Sequence, residues 1–175
     1  MISLCLVTGT TQLHTDLEAA LAQLMGQPAA LVFSSGYAAN VGLLTSLADQ
    51  DTLIVSDAHI HASLIDGARL SRATVQVTPH SDPVAVERAL SEWAGPRSLV
   101  LAESIYSVLG DAAPAQTLAE ICARHDALLV VDEAHGVGIR GNGAGLVREL
   151  GLEGHPNVIV TATLSKSLGA QGGVV

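Results

Sequence analysis

Of the eight lysine and arginine residues in the chain, only Lys166 is a lysine. The difference matters chemically: an amine can lose its proton and condense with an aldehyde, whereas a guanidinium stays charged. Lys166 follows the apolar run Val158-Ile-Val160 and is flanked by the hydroxyls of Thr163, Ser165 and Ser167. The same pattern also suits a surface lysine in a Ser/Thr turn. A second candidate, Asp132, ends the apolar run Ala127-Leu-Leu-Val-Val131, and an acid in that position needs a partner when buried. A metal held by Asp132 and His135 is one such partner, although no further residues at ligand spacing complete the set. A cationic ring nitrogen is another.

Three further groups follow other apolar runs. Ser34-Ser-Gly-Tyr-Ala-Ala-Asn40 reads as a turn entering a helix, whose free amides can hold an anion such as a phosphate; it is equally an ordinary Ser-Gly turn. His61 stands at the start of a helix, either as its cap or as a flat ring against a ligand. Glu103-Ser-Ile-Tyr-Ser107 adds a carboxylate and several hydroxyls.

These groups are brought together by the elements that precede them. Short aliphatic runs at 30–33, 53–55, 74–77, 99–102, 128–131 and 158–160 read as strands, and they alternate with helical stretches at 38–48, 61–70, 83–93 and 115–125. An earlier helix is marked by Leu13, Leu17, Leu21 and Leu24 as a continuous apolar stripe, with Thr11 or Thr15 as cap and Gly26 as its stop. Strand–helix alternation predicts a three-layer αβα fold around a mostly parallel sheet. Such sheets bind ligands beyond the carboxyl ends of their strands, where every candidate group falls. The glycine-rich stretch from Gly136 to Gly145 reads as a functional loop. Gly172-Gly-Val-Val175 reads as the start of a further strand, which predicts an unpaired apolar edge there and a chain that is a piece of something longer.

Composition excludes several classes. The 175 residues suffice for one domain, 1–175, and the 49% hydrophobic content with only 2% aromatics suits buried parallel strands. A net charge of -9 with scattered basic residues argues against a nucleic-acid partner. No run approaches the roughly 20 apolar residues of a spanning helix, and Met1 to Val7 lacks the features of a secretory signal. Cys5 and Cys122 stand in no metal or redox spacing, which predicts a reducing, cytoplasmic setting without a disulfide. No Gly-x-Gly-x-x-Gly follows the first strand, so a dinucleotide-binding domain is not indicated.

Taken together, an acid at one strand end, a sole lysine at the next, an anion-ready turn and a histidine supply the parts of a pyridoxal phosphate site. The acid keeps the ring nitrogen protonated, and the amine holds the aldehyde. At these residues the sequence resembles the α-oxoamine synthases, pyridoxal-phosphate enzymes of the aspartate-aminotransferase fold. The resemblance is carried by Ser34-Ser-Gly-Tyr-Ala-Ala-Asn40, Ser56-Asp-x-x-x-His-Ala-Ser-Leu64, Val130-Val-Asp-Glu-Ala-His-Gly136 and Thr163-Leu-Ser-Lys166. It implies that Lys166 binds the cofactor covalently, Asp132 pairs with the ring nitrogen and His61 stacks on the ring. Ser35, Gly36 and Tyr37 would approach the phosphate, and Glu103, Ser107, His135 and Thr163 would add contacts. The implied reaction is decarboxylative condensation of an amino acid with an acyl-CoA or acyl carrier protein in a homodimer. The motifs look most like the branch that joins alanine to a pimeloyl thioester for biotin.

The sequence departs from that family in two places. Ser3-Leu-Cys5 stands where the family has a segment such as Gly-Ser-Arg, and an N-terminal arm and a C-terminal domain are expected beyond the stretch given. A related aminotransferase, lyase or cysteine desulfurase, and a non-catalytic partner of a longer chain, are the competing readings.

Overall fold

The computed structural model describes residues 9–175; the apolar run Ile2 to Val7, with Cys5, lies outside them. In chain order the elements are α1 (Gln12–Met25), β1 (Val32–Phe33), α2 (Gly36–Leu47), β2 (Thr52–Asp57), α3 (Ala62–Ser71), β3 (Thr74–Thr78) and α4 (Pro83–Glu92). Then follow β4 (Arg97–Glu103), α5 (Ala115–Arg124), β5 (Leu128–Asp132), a 3-10 turn (Gly141–Gly143), α6 (Leu146–Glu149), β6 (Val158–Thr163) and β7 (Gly173–Val174).

Local chemistry marks the helix boundaries. Thr11 caps α1 reciprocally with His14, and Gly26 closes it at a left-handed φ of 68°, a conformation that glycine adopts without strain. Asp82 accepts the Ala85 N–H at the start of α4 with Pro83 just inside, the usual pairing of a cap with a residue whose missing N–H costs nothing there.

The seven strands form one sheet in the order β1-β7-β6-β5-β4-β2-β3. β3, β2, β4, β5 and β6 run parallel, while β7 is antiparallel to both neighbours. Alternate residues face opposite layers, as strand geometry requires. Val55, Val100, Leu129, Val131 and Val160 pack with α1, α4 and α5, and Ile54, Leu99, Leu101 and Val130 pack with α2 and α3. Leu44, fully buried in the second layer, contributes roughly 1.5–3 kcal/mol by leaving water.

Two expectations are corrected. The Val174 edge is not unpaired: β7 lies between β1 and β6, and the N–H of Val175 donates to the carbonyl of Leu31. The sheet order places this late strand in a gap that sequence proximity does not reveal. The leucine stripe of α1 also divides, with Leu21 in the core but Leu13 80% exposed and Leu17 exposed; no described residue covers the first turns. Among the described residues no helix is long and apolar enough to cross a membrane.

Candidate active site

Parallel register lines up the strand ends. Glu103 of β4 stands opposite Asp132 of β5, which stands opposite Thr161 of β6. Strand β6 runs on to Thr163, and the chain then turns so that Lys166 O accepts from Gly169 N and Leu164 O from Ala170 N.

Asp132 is buried, yet both of its oxygens are satisfied. Oδ1 accepts the Ala134 N–H at 2.9 Å, and Oδ2 accepts from Asn40 Nδ2 at 2.7 Å. The Asn40 amide also donates to Ser63 Oγ at 2.9 Å, and that hydroxyl meets His61 Nδ1 at 2.7 Å. The chain Asp132–Asn40–Ser63–His61 therefore ties β5 to α2 and α3. His61 is itself the cap of α3, its Nδ1 accepting the Ser63 N–H, so the cap reading holds while the ring remains exposed at the cleft.

Lys166 Nζ lies 2.7 Å from His135 Nε2. Burial, and then the neighbouring Lys166 charge, hold the His135 imidazole below its ordinary range, so the neutral ring accepts this hydrogen bond. The Lys166 side chain is exposed. It extends past the last strand residue into the open mouth of the cleft.

Across the cleft, α2 begins at Gly36 with Ser35 as its cap, the Ser35 hydroxyl accepting the Ala38 N–H at 3.1 Å. The amides of Gly36 and Tyr37, in the first turn, have no partner within the helix. A Cβ on Gly36 would stand 2.9 Å from Thr163 Cβ, so glycine lets the helix start approach the end of β6. The Tyr37 hydroxyl turns away to donate to Asp66 Oδ2 at 2.9 Å, a contact that raises its pKa.

The structure thus gathers Ser35, Gly36, Tyr37, His61, Glu103, Asp132, Thr163 and Lys166 around one cleft. His135 joins through Lys166. Ser107 joins only through its backbone, its N–H donating to Glu103 Oε2 at 2.9 Å. Two residues were missed as site members although their motifs were noted: Asn40 and Ser63, both buried in the wall. Asn40 Oδ1 and Glu103 Oε1 are buried without a hydrogen-bond partner, so the wall retains unused acceptors. Among the described residues no group of three or more His, Cys, Asp or Glu could hold a metal ion. The arrangement offers an anion seat at a helix start, a carboxylate for a cation and a free amine, all facing one space.

Comparison with known proteins follows the same lines. The chain is 55% identical over 170 residues to the 8-amino-7-oxononanoate synthase of Mycobacterium bovis (strain BCG / Pasteur 1173P2), covering 97% of this chain and 44% of that protein. The Mycobacterium ulcerans protein of the same name gives the same figures. The chain therefore spans less than half the length of these curated relatives. A serine palmitoyltransferase from Sphingomonas wittichii superposes with a TM-score of 0.90 at 38% identity, covering 97% of this chain and 43% of that one. The 8-amino-7-oxononanoate synthase of Francisella tularensis gives 0.81 at 30%, covering 94% and 48%. A serine palmitoyltransferase from S. paucimobilis, solved with a PLP–myriocin aldimine bound, gives 0.89 at 35% over 97% of this chain and 44% of that one. With these likenesses, and with the aminotransferase class I and II sequence model matching residues 2–175, the chain belongs to the aminotransferase class I and II family.

Proposed function

We propose that this chain is the cofactor-binding part of a pyridoxal-phosphate-dependent C-acyltransferase that condenses an amino acid, alanine, with a pimeloyl thioester for biotin. The observation that carries the reading is the placement of Asp132 and Lys166 at adjacent strand ends around a cleft whose far wall is a helix start. The donor set fits the cofactor. The free amides of Gly36 and Tyr37 suit a phosphate, the remaining lone pairs of Asp132 suit a ring N–H, and the Lys166 amine suits a carbonyl carbon.

When bound, pyridoxal phosphate supplies an electron-accepting ring and a carbonyl that amines capture. Asp132, fixed by Asn40 and Ala134 N, would hold the proton on the ring nitrogen. His61, fixed by Ser63, offers its ring face to the cleft. Lys166 Nζ would hold the carbonyl carbon and, as a free amine, would hold or move a proton, with neutral His135 Nε2 as its acceptor. Glu103, Ser107 and Thr163 complete the wall as positioning groups.

The 55% identity to 8-amino-7-oxononanoate synthases supports this choice of amino acid and thioester. Another branch of the same synthases is the second reading, favoured by the closer superposition on serine palmitoyltransferase, 0.90 against 0.81. A cytoplasmic homodimer accords with both. Val108, Leu109, Ile139 and Leu168 are exposed on the loops that leave β4, β5 and β6, apolar side chains that a second copy would cover.

Release of free CoA tests the reading, with pimeloyl-CoA or short acyl-CoAs and with alanine, glycine or serine offered in turn. Release with alanine and pimeloyl-CoA supports it, and release only with another pair moves it to a sister branch. Amino-group transfer or elimination without any thiol release contradicts it.

A further inference from the structure

Glu133 is a buried acid that the proposed chemistry does not use. Only 1% of its surface is exposed, directly beside Asp132. Its backbone N–H donates to Thr161 O at 2.7 Å, and its carbonyl accepts from both Gly136 N and Val137 N at 3.0 Å. Its side chain reaches across the following loop, where Oε1 accepts the Val147 N–H at 2.7 Å.

Two glycines make room for this carboxyl. A Cβ on Gly145 would lie 2.8 Å from Glu133 Cδ and Oε1, at a left-handed φ of 103°. A Cβ on Gly136 would lie 1.8 Å from Glu133 Oε2 and 2.6 Å from Ser104 Oγ. Both oxygens therefore crowd the space beside Gly136, and each is buried without another hydrogen-bond partner. The Ser104 hydroxyl is free to rotate, so its proton can be turned onto the carboxylate oxygen Oε2.

The loop held in this way carries the site. His135 lies within it, and Ser167 Oγ donates to Val137 O at 2.6 Å, fixing the residue next to Lys166. Gly138 admits Ser167 so closely that a Cβ there would stand 2.4 Å from its side chain.

We propose that Glu133 is a positioning residue whose Oε1 accepts from Val147 N and whose Oε2 accepts from the Ser104 hydroxyl, so that the loop of residues 134–147 fixes His135 and, through Ser167, Lys166. Burial raises the Glu133 pKa, with the Asp132 charge adding to it, against the hydrogen bonds from Val147, Ser104 and Leu146. The nearby Arg140 is engaged by Glu149 at 2.6 and 3.0 Å. The role in cofactor capture rests on the functional reading above, whereas the loop contact does not.

The test compares the unsubstituted chain with Glu133→Gln and Glu133→Ala. A glutamine keeps one acceptor and one donor, so E133Q retains cofactor capture at Lys166 within about twofold, while E133A loses at least about tenfold. The NMR titration of the His135 ring is expected to be unmoved in E133Q and to shift towards 6.5 in E133A, where the loop no longer holds the ring beside Lys166. E133Q falling as far as E133A overturns the proposal, as does E133A capturing normally or leaving the His135 titration unmoved. If E133A does not fold, Ser104→Ala, which removes only the donor to Oε2, is expected to move the His135 titration in the same direction, and no movement there overturns the proposal. If the unsubstituted chain captures no cofactor, the functional reading fails, and the His135 titration still decides the role of Glu133.

Discussion

Lys166 Nζ and His135 Nε2 share a hydrogen bond of 2.7 Å between the loops that follow β6 and β5. Burial and the Lys166 charge both oppose protonation of the ring, so the imidazole is the acceptor and the ammonium the donor. Replacing the amine by an apolar chain of similar length removes one of the two causes. In Lys166→Met the His135 pKa is expected to rise towards 6.5, as followed by the NMR titration of its ring protons. An unmoved titration would mean that the two groups do not interact.

Asn40 joins the acid to the histidine by donating to both Asp132 Oδ2 and Ser63 Oγ. Asn40→Ala leaves a buried carboxylate oxygen without its donor, which costs roughly 1–3 kcal/mol. Urea unfolding measures the loss, and cofactor affinity is expected to fall with it because Asp132 is no longer fixed. Unchanged stability would show that water replaces the amide freely.

Gly36 lets the start of α2 approach Thr163 closely. Gly36→Ala forces a shift of the helix start or of the end of β6, with a destabilisation of about 1–3 kcal/mol. Phosphate-bearing ligands are expected to bind more weakly to this variant than to the unsubstituted chain, as read by equilibrium titration with pyridoxal phosphate. Equal affinity would remove the helix start from the binding site.

Much of this site is legible in the sequence because parallel strands announce themselves. Each of β2, β4, β5 and β6 contains an apolar run, so the polar groups that follow the run, Asp132 after Val131 and Lys166 beyond Val160, must lie at the carboxyl edge. Asn40 and Ser63 are hidden by the opposite circumstance. They lie inside helices, where a polar residue is ordinarily solvated, and only the crossing of α2 and α3 over β5 buries them. Glu133 is masked by its neighbour Asp132, since strand alternation alone does not say that a loop folds back over its side chain. The pairing of β7 between β1 and β6 depends on order across the sheet, which local patterns do not encode.

A separate cluster governs pH dependence at the other end of the same edge. His80 bridges Asp57 and Asp111 at 2.9 Å each, with His59 and Tyr106 against its ring. The hydrogen bond to Asp57 and then that to Asp111 raise the His80 pKa against burial. Burial pushes Asp57 up, but hydrogen bonds from His80, Ser81 N and His59 N outweigh it and leave the pKa lowered.

The stability from His80 is complete below its ordinary 6.5 and lost as pH rises through the raised value. That from Asp57 is complete above 3.8 and lost as pH falls through the lowered value; both are therefore full between these limits. The difference in unfolding free energy between the unsubstituted chain and His80→Gln is expected to peak in that window and to shrink at alkaline pH. An equal difference at both would show that the imidazolium charge does not contribute.

The central claim is that Lys166 is the amine of a pyridoxal phosphate site. Incubation with the cofactor, reduction with borohydride and mass spectrometry of the digested chain test it directly. The account expects one pyridoxyl group on the peptide containing Lys166, and none anywhere in Lys166→Ala. An adduct that persists in Lys166→Ala, or an unsubstituted chain that carries none on Lys166, would contradict it.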